Sequence, residues 1–209
     1  MRWSIVIPVK RLPLAKSRLY DATRPAAAHR ELALALALDT TVAALACPAV
    51  ARVLAVTDDV DAAPRLTALG ATVLPDLPDS GLNPALAYGA ARAAELSPAH
   101  GVAVLSADLA ALRPAELVHA LAAAGQHRRA FVADAAGTGT TLLAARPGAT
   151  LDPRYGAGSR AAHRASGAAE LAGDWPSLRL DVDTAADLTE ALALGLGPAT
   201  TAVLAARPG

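Results

Sequence analysis

Short runs of β-branched and aliphatic residues alternate with longer alanine- and leucine-rich runs from residue 3 to about residue 124. Trp3 to Val9 has the length and composition of a strand. The run from Pro25 to Ala46 predicts a long helix with proline near its start, where a missing N–H costs nothing. RVLAVT at 52–57 predicts a second strand, and residues 59–69 a helix closed by Gly70. Residues 71–74 form a short third strand, followed by a proline-rich stretch at 75–80 and a helix from Pro84 to Leu96. GVAVLS at 101–106 reads as a buried fourth strand, with Pro114 to Ala124 as the helix after it. Residues 130–133 and 140–145 predict two further strands around a Gly-Thr-Gly turn. A loop at 147–158 leads to a short helix capped by Ser159. Leu178 to Val182 predicts a last strand, and Thr184 caps a helix running to Leu194.

This alternation predicts a single α/β domain over residues 1–209: three α/β/α layers around a mostly parallel sheet covered on both faces. No linker, repeat or charge block divides it. Ligands of such sheets bind beyond the carboxyl ends of the strands. The residues found there are Lys10, Asp58, Asp59, Asp108, Asp134, Asp181 and Asp183.

Composition narrows the picture. Hydrophobic residues make up 54% and charged residues 18%, so a core is affordable and disorder is not expected. Alanine fills 56 positions while Phe, Trp and Tyr together fill six, which suits helices packed closely on a parallel sheet. Net charge is zero, against the basic excess of a nucleic-acid or membrane-surface protein. The one cysteine, Cys47, excludes a disulfide framework and reads as a small buried hydrophobe. The N-terminus has no signal-peptide apolar region, and the apolar stretch 32–50 is broken by Asp39, Thr40, Thr41 and Pro48. A soluble cytoplasmic protein is expected.

The two common phosphate fingerprints, G-x-G-x-x-G after the first strand and G-x-x-x-x-G-K-[ST], are missing. In their place stands Pro8-Val9-Lys10-Arg11-Leu12-Pro13-Leu14-Ala15-Lys16-Ser17-Arg18-Leu19. The chain uses 17 arginines and two lysines, and both lysines fall here. Retaining lysine in an arginine-biased chain points to a compact ammonium facing a polyphosphate, with a solvated basic turn as the plain alternative. Asn83, the only asparagine, precedes Pro84 as a helix N-cap would, and its amide could also read a purine edge. Asp108, directly after a buried strand, either caps the next segment or holds Mg²⁺ against phosphates. Asp181 and Asp183, at i and i+2, would face one side of a strand, a repulsive arrangement that a cation relieves. Asp187 fits the first turn of the final helix.

Residues 137–141 (GTGTT) and 155–159 (YGAGS) are rich in backbone N–H groups open to an anion. They read equally as a hairpin turn and a helix cap, but two such loops together suggest a second anion besides a nucleotide. The five histidines share no metal-like spacing, and His163 reads as a helix-face residue.

Taken in order, the lysine loop, Gly81-Leu82-Asn83, Asp108, residues 137–141, residues 156–159 and Leu180-Asp181-Val182-Asp183-Thr184 resemble the CofC/FbiD family. Its members are guanylyltransferases of coenzyme F-420 biosynthesis within the MobA-like nucleotidyltransferases of GT-A-type fold. The resemblance runs over essentially the whole chain, and segments 15–19 and 180–184 are its specific parts. It implies transfer of a guanylyl group from GTP to the phosphate of phosphoenolpyruvate or 2-phospho-L-lactate. It implies Lys10, Lys16 and Arg18 on the GTP phosphates, Asn83 on guanine, and Mg²⁺ on Asp108, Asp181 and Asp183. Thr141, Gly156 and Ser159 would hold the three-carbon acid, and the unstable product would be handed to the next pathway enzyme. Lys10, Lys16 and Asp108 would then be the catalytic set. Two departures stand beside the metal positions: Ala110 and Ala185 occupy places where the family pattern leads one to expect proline.

Overall fold

The computed structural model describes residues 1–10, 26–77 and 79–206. The elements run β1 (Trp3–Pro8), α1 (Ala26–Ala46), β2 (Val50–Val56), α2 (Ala62–Ala68), β3 (Thr72–Leu74), α3 (Leu82–Leu96), β4 (Gly101–Leu105) and α4 (Pro114–Ala124). They continue with β5 (Arg129–Ala133), β6 (Thr140–Ala145), α5 (Ser159–Ala165), β7 (Ala169–Glu170), α6 (Pro176–Arg179), α7 (Ala185–Leu194) and α8 (Pro198–Ala205).

The seven strands form one sheet in the order β3-β2-β1-β4-β6-β5-β7. β3, β2, β1 and β4 are mutually parallel, as their intervening helices require. β6 enters antiparallel between β4 and β5, so the hairpin that its Gly-Thr-Gly turn predicts also feeds the sheet centre. The alternation of side chains divides the core. Ile5 and Ile7 face α1, α2 and α4, while Val6 faces α3.

Alanine and glycine set the layer spacing. A Cβ on Gly89 would sit 2.7 Å from Val6 and 2.8 Å from Val56, so α3 can lie this close only because residue 89 is glycine. α1 is buried on a second side as well. Leu32 and Leu36 pack with Leu180, Val182 and Ala191, flanked by Val203 and Leu204 of α8. Cys47 is buried, as its place in an apolar run implies.

The expected strand at Leu178–Val182 does not form. Glu116 accepts the Ser177 amide at 2.9 Å and the Leu178 amide at 3.3 Å, capping a single helical turn, α6, that begins at Pro176. The open edge of β5 is taken by β7, an unpredicted strand. Among the described residues no helix is long and apolar enough to cross a membrane.

Candidate active site

Two adjoining clefts open at the carboxyl ends of β1, β2 and β4, and Pro8, Val9, Lys10 and Leu82 line both. The first, of about 280 Å³, also brings together Ser106, Asp108, Tyr155 and Asp183. The second, of about 220 Å³, lies toward β3 and is lined by Thr57, Asp58, Asp76 and Asp79. Lys10, Asp108 and Asp183, drawn from three distant parts of the chain, therefore share one cavity. Lys16 and Arg18 lie outside the described residues.

Backbone bonds hold Asp108 where Ala110 offers no proline stiffness. Thr40 of α1 accepts the Leu109 amide at 3.0 Å, Val182 donates its amide to the Asp108 carbonyl at 3.1 Å, and Gly197 donates to the Ala110 carbonyl at 2.8 Å. Val182 is fully buried, and Asp181 and Asp183 flank it. The Asp183 and Thr184 amides both donate to Asp187, whose own amide donates to Thr184, so the expected cap of α7 forms. That box, and not a proline at 185, fixes the backbone after Asp183.

Electrostatics mark the same spot. Burial pushes the Asp181 carboxyl up to about 7, and Asp108, Asp183 and, more weakly, Asp134 push it the same way. Several carboxylates thus converge without sharing a strand. Their mutual repulsion and oxygen-only donors fit a hard divalent cation.

The two glycine loops differ from one another. The Thr138 and Gly139 amides both donate to the Asp134 carboxylate at 2.8 Å, and Gly137 donates to the Asp134 carbonyl at 3.2 Å. The anion held by this loop is the protein's own Asp134. In the second loop, Ser159 donates its amide to the Gly156 carbonyl, and Arg160 donates to Thr138. Gly156 and Gly158 have φ of +132° and +71°, a left-handed geometry that glycine tolerates. Thr141 is fully buried, and its hydroxyl has no hydrogen-bond partner among the described residues.

His163 lies on α5, as its reading as a helix-face residue implies, and is fully buried. Its Nε2 accepts the Arg154 amide at 2.9 Å, which places the ring proton on Nδ1, 2.9 Å from the Thr140 hydroxyl. Ser159 donates to the same hydroxyl at 3.3 Å. Burial, with Arg129 close by, lowers the His163 pKa to about 4, so the ring stays neutral.

Asn83 is not an N-cap. Gly81 takes that position, with φ of +109°, and Asn83 lies inside the first turn of α3. Its amide instead meets Tyr155: Oδ1 accepts the Tyr155 N–H at 2.7 Å and Nδ2 donates to the Tyr155 carbonyl at 2.9 Å. Sequence reasoning missed Tyr155 as a cleft residue, along with Asp76 and Asp79. The carboxylate oxygens of Asp58, Asp76 and Asp79 lie within 4.8 Å of one another. Asp58 and Asp134 carried one signal, a place just after a strand; Tyr155 carried only its place in the 155–159 loop, since its pairing with Asn83 across 72 residues leaves no local pattern.

The model of the family described as guanylyl transferase CofC like matches residues 3–205. A phosphoenolpyruvate guanylyltransferase of Thermomonospora curvata is 57% identical over 209 residues, spanning 100% of this chain and 91% of that one. The protein of the same name from Streptomyces coelicolor is 59% identical over 206 residues, 98% of this chain and 97% of its own. Among solved structures, 4-diphosphocytidyl-2C-methyl-D-erythritol synthase superposes with a TM-score of 0.60 at 15% identity, covering 92% of this chain and 98% of that one. A Mycobacterium tuberculosis protein solved as a manganese complex gives 0.53 at 18% identity, with 91% and 97% covered. These two likenesses speak to the fold, a nucleotidyltransferase-type α/β sheet, and the sequence matches speak to the family. This chain belongs to the CofC-like guanylyl transferases.

Proposed function

We propose that the protein transfers the guanylyl group of GTP to the phosphate of phosphoenolpyruvate, or of 2-phospho-L-lactate, releasing pyrophosphate, within coenzyme F-420 biosynthesis. The observation that carries this reading is the meeting of Lys10, Asp108 and Asp183 in one cleft, beside the crowded Asp181 carboxyl. The names of the relatives support phosphoenolpyruvate as the acceptor.

In the proposed reaction an acceptor phosphate oxygen attacks the α-phosphorus of GTP. The bond to the β-phosphate bridging oxygen breaks, and pyrophosphate leaves with that electron pair. The attacking oxygen is already anionic at neutral pH, so no general base is required, in keeping with a His163 that is buried and committed to structure. The protein's task is to bring two anions together in line and to neutralise them. Lys10 is assigned to the GTP phosphates, joined by Lys16 and Arg18 from the segment after it. Asp108, Asp181 and Asp183 are assigned to Mg²⁺, which when bound draws negative charge from the phosphates. The acid is assigned to the turn around Gly156, to the Thr141 hydroxyl and to Ser159. The amides of Gly156, Ala157 and Gly158 donate to no other described group, which leaves them open to a carboxylate or phosphate. The labile product then passes to the enzyme that consumes it.

Pyrophosphate release with GTP and Mg²⁺, run in parallel with phosphoenolpyruvate, 2-phospho-L-lactate and 3-phosphoglycerate, tests the proposal. Release that needs Mg²⁺ and one of the first two acids is expected. Silence with both, from protein that still binds GTP, would overturn it.

A further inference from the structure

The side chain of Asn83 imitates a β-strand partner. In an antiparallel pair, two opposed residues exchange both N–H···O bonds, and the Asn83 amide makes that double exchange with Tyr155 through one planar group. A side-chain amide supplies a donor and an acceptor side by side. The next amide back along the chain, that of Arg154, is held by His163 Nε2. Two consecutive amides are therefore fixed by two side chains, one from α3 and one from α5. The Tyr155 ring also meets the His163 ring edge-on, with centroids 5.1 Å apart.

Directly after this anchored pair the chain enters the turn Gly156-Ala157-Gly158-Ser159, whose left-handed glycines set the direction of its amides. The anchor thus determines where those amides point. His163 completes the frame by holding Thr140, the hydroxyl to which Ser159 donates. Reading a guanine edge would need the same donor and acceptor that Asn83 gives to Tyr155.

From this geometry we infer that Asn83 is a positioning residue for the phospho-acid, acting through Tyr155 and the turn beyond it, and not a reader of the nucleotide base. The inference rests on the acceptor assignment proposed above. Leu82, the neighbour of Asn83, and Tyr155, its partner, both line the cleft that brings Lys10, Asp108 and Asp183 together.

Asn83→Ala and Asn83→Asp test it. The aspartate keeps the acceptor for the Tyr155 amide but sets a second oxygen against the Tyr155 carbonyl, and it preserves volume should the alanine variant fail to fold. Both are expected to raise the KM for phosphoenolpyruvate roughly tenfold or more, the size expected for losing a pair of hydrogen bonds. The KM for GTP and the preference for GTP over ATP should stay within about twofold. A loss of GTP preference with an unchanged acid KM would overturn the inference in favour of base reading. A fall in thermal midpoint with both KM values unchanged would reduce Asn83 to a structural residue and also overturn it. If the wild type transfers to neither acid, the proposed function fails on its own. Calorimetric titration of phosphoenolpyruvate and GTP into wild type and variants then decides: selective loss of acid binding upholds the inference, while selective loss of GTP binding, or no acid binding by the wild type, overturns it.

Discussion

Gly139 gives its amide to the Asp134 carboxylate at 2.8 Å, and a Cβ at residue 139 would lie 2.4 Å from the same oxygen. The loop between β5 and β6 is wound around an internal anion, and glycine is what lets it close. Asp134→Ala strips the Thr138 and Gly139 amides of their partner. It is expected to cost about 1–2 kcal/mol of stability, and Gly139→Ala should cost a similar amount by pushing the carboxylate aside. Urea denaturation of the three proteins would measure both losses.

The crowded carboxylates give a second prediction. Asp108→Asn and Asp183→Asn each remove a negative charge from the proposed cation site while keeping its shape. Turnover should fall by on the order of a hundredfold or more, with the far-UV circular dichroism unchanged. Manganese affinity, followed by electron paramagnetic resonance, should fall in step. Rates near wild type in either variant would remove that residue from the metal site.

Buried His163 makes stability depend on pH in a stated direction. Its folded pKa of about 4 lies below the ordinary histidine value. The folded ring resists protonation chiefly because it is buried; Arg129 and, more weakly, Arg154 add unfavourable charge, partly offset by Asp152, and Nε2 already accepts the Arg154 amide. As pH falls from about 6.5 to about 4, the unfolded chain takes up a proton that the folded chain does not, so stability declines across that window, by on the order of 3 kcal/mol in all. His163→Asn should be less stable than wild type at about pH 7 yet lose less on acidification to about pH 4.5. Denaturant midpoints at the two pH values would report this difference.

A fourth prediction concerns the end of the chain. Asp39 of α1 is 4% exposed and accepts the Ala199 and Thr200 amides at 2.9 and 2.8 Å, capping α8 from a neighbouring helix. Gly197 leaves room for it, since a Cβ there would sit 2.3 Å from the Asp39 Cγ. Asp39→Ala should cost about 1–2 kcal/mol through the lost cap. Hydrogen exchange should then speed up in α8 well before it does in the central strands.

The amino-acid sequence alone determined the succession of elements through α4 and the places where chemistry would gather. Those properties are local: a strand such as Gly101–Leu105 is a short apolar run, and Asp108 comes after it whatever the rest of the chain does. The sequence also determined family membership, because the lysine loop and the 180–184 segment occur in a fixed order. Tertiary structure decided which partner each polar group would take. Asp134 stood among the residues beyond the strand ends where ligands bind and fills its own glycine loop, while Asn83 looked like a cap and pairs with Tyr155. Leu178–Val182 looked like a strand, but Glu116 capped a helical turn there and β7 had already claimed the sheet edge. A hydrogen-bonding group is satisfied by whatever the folded chain brings within about 3 Å, and that choice spans separations no local pattern records.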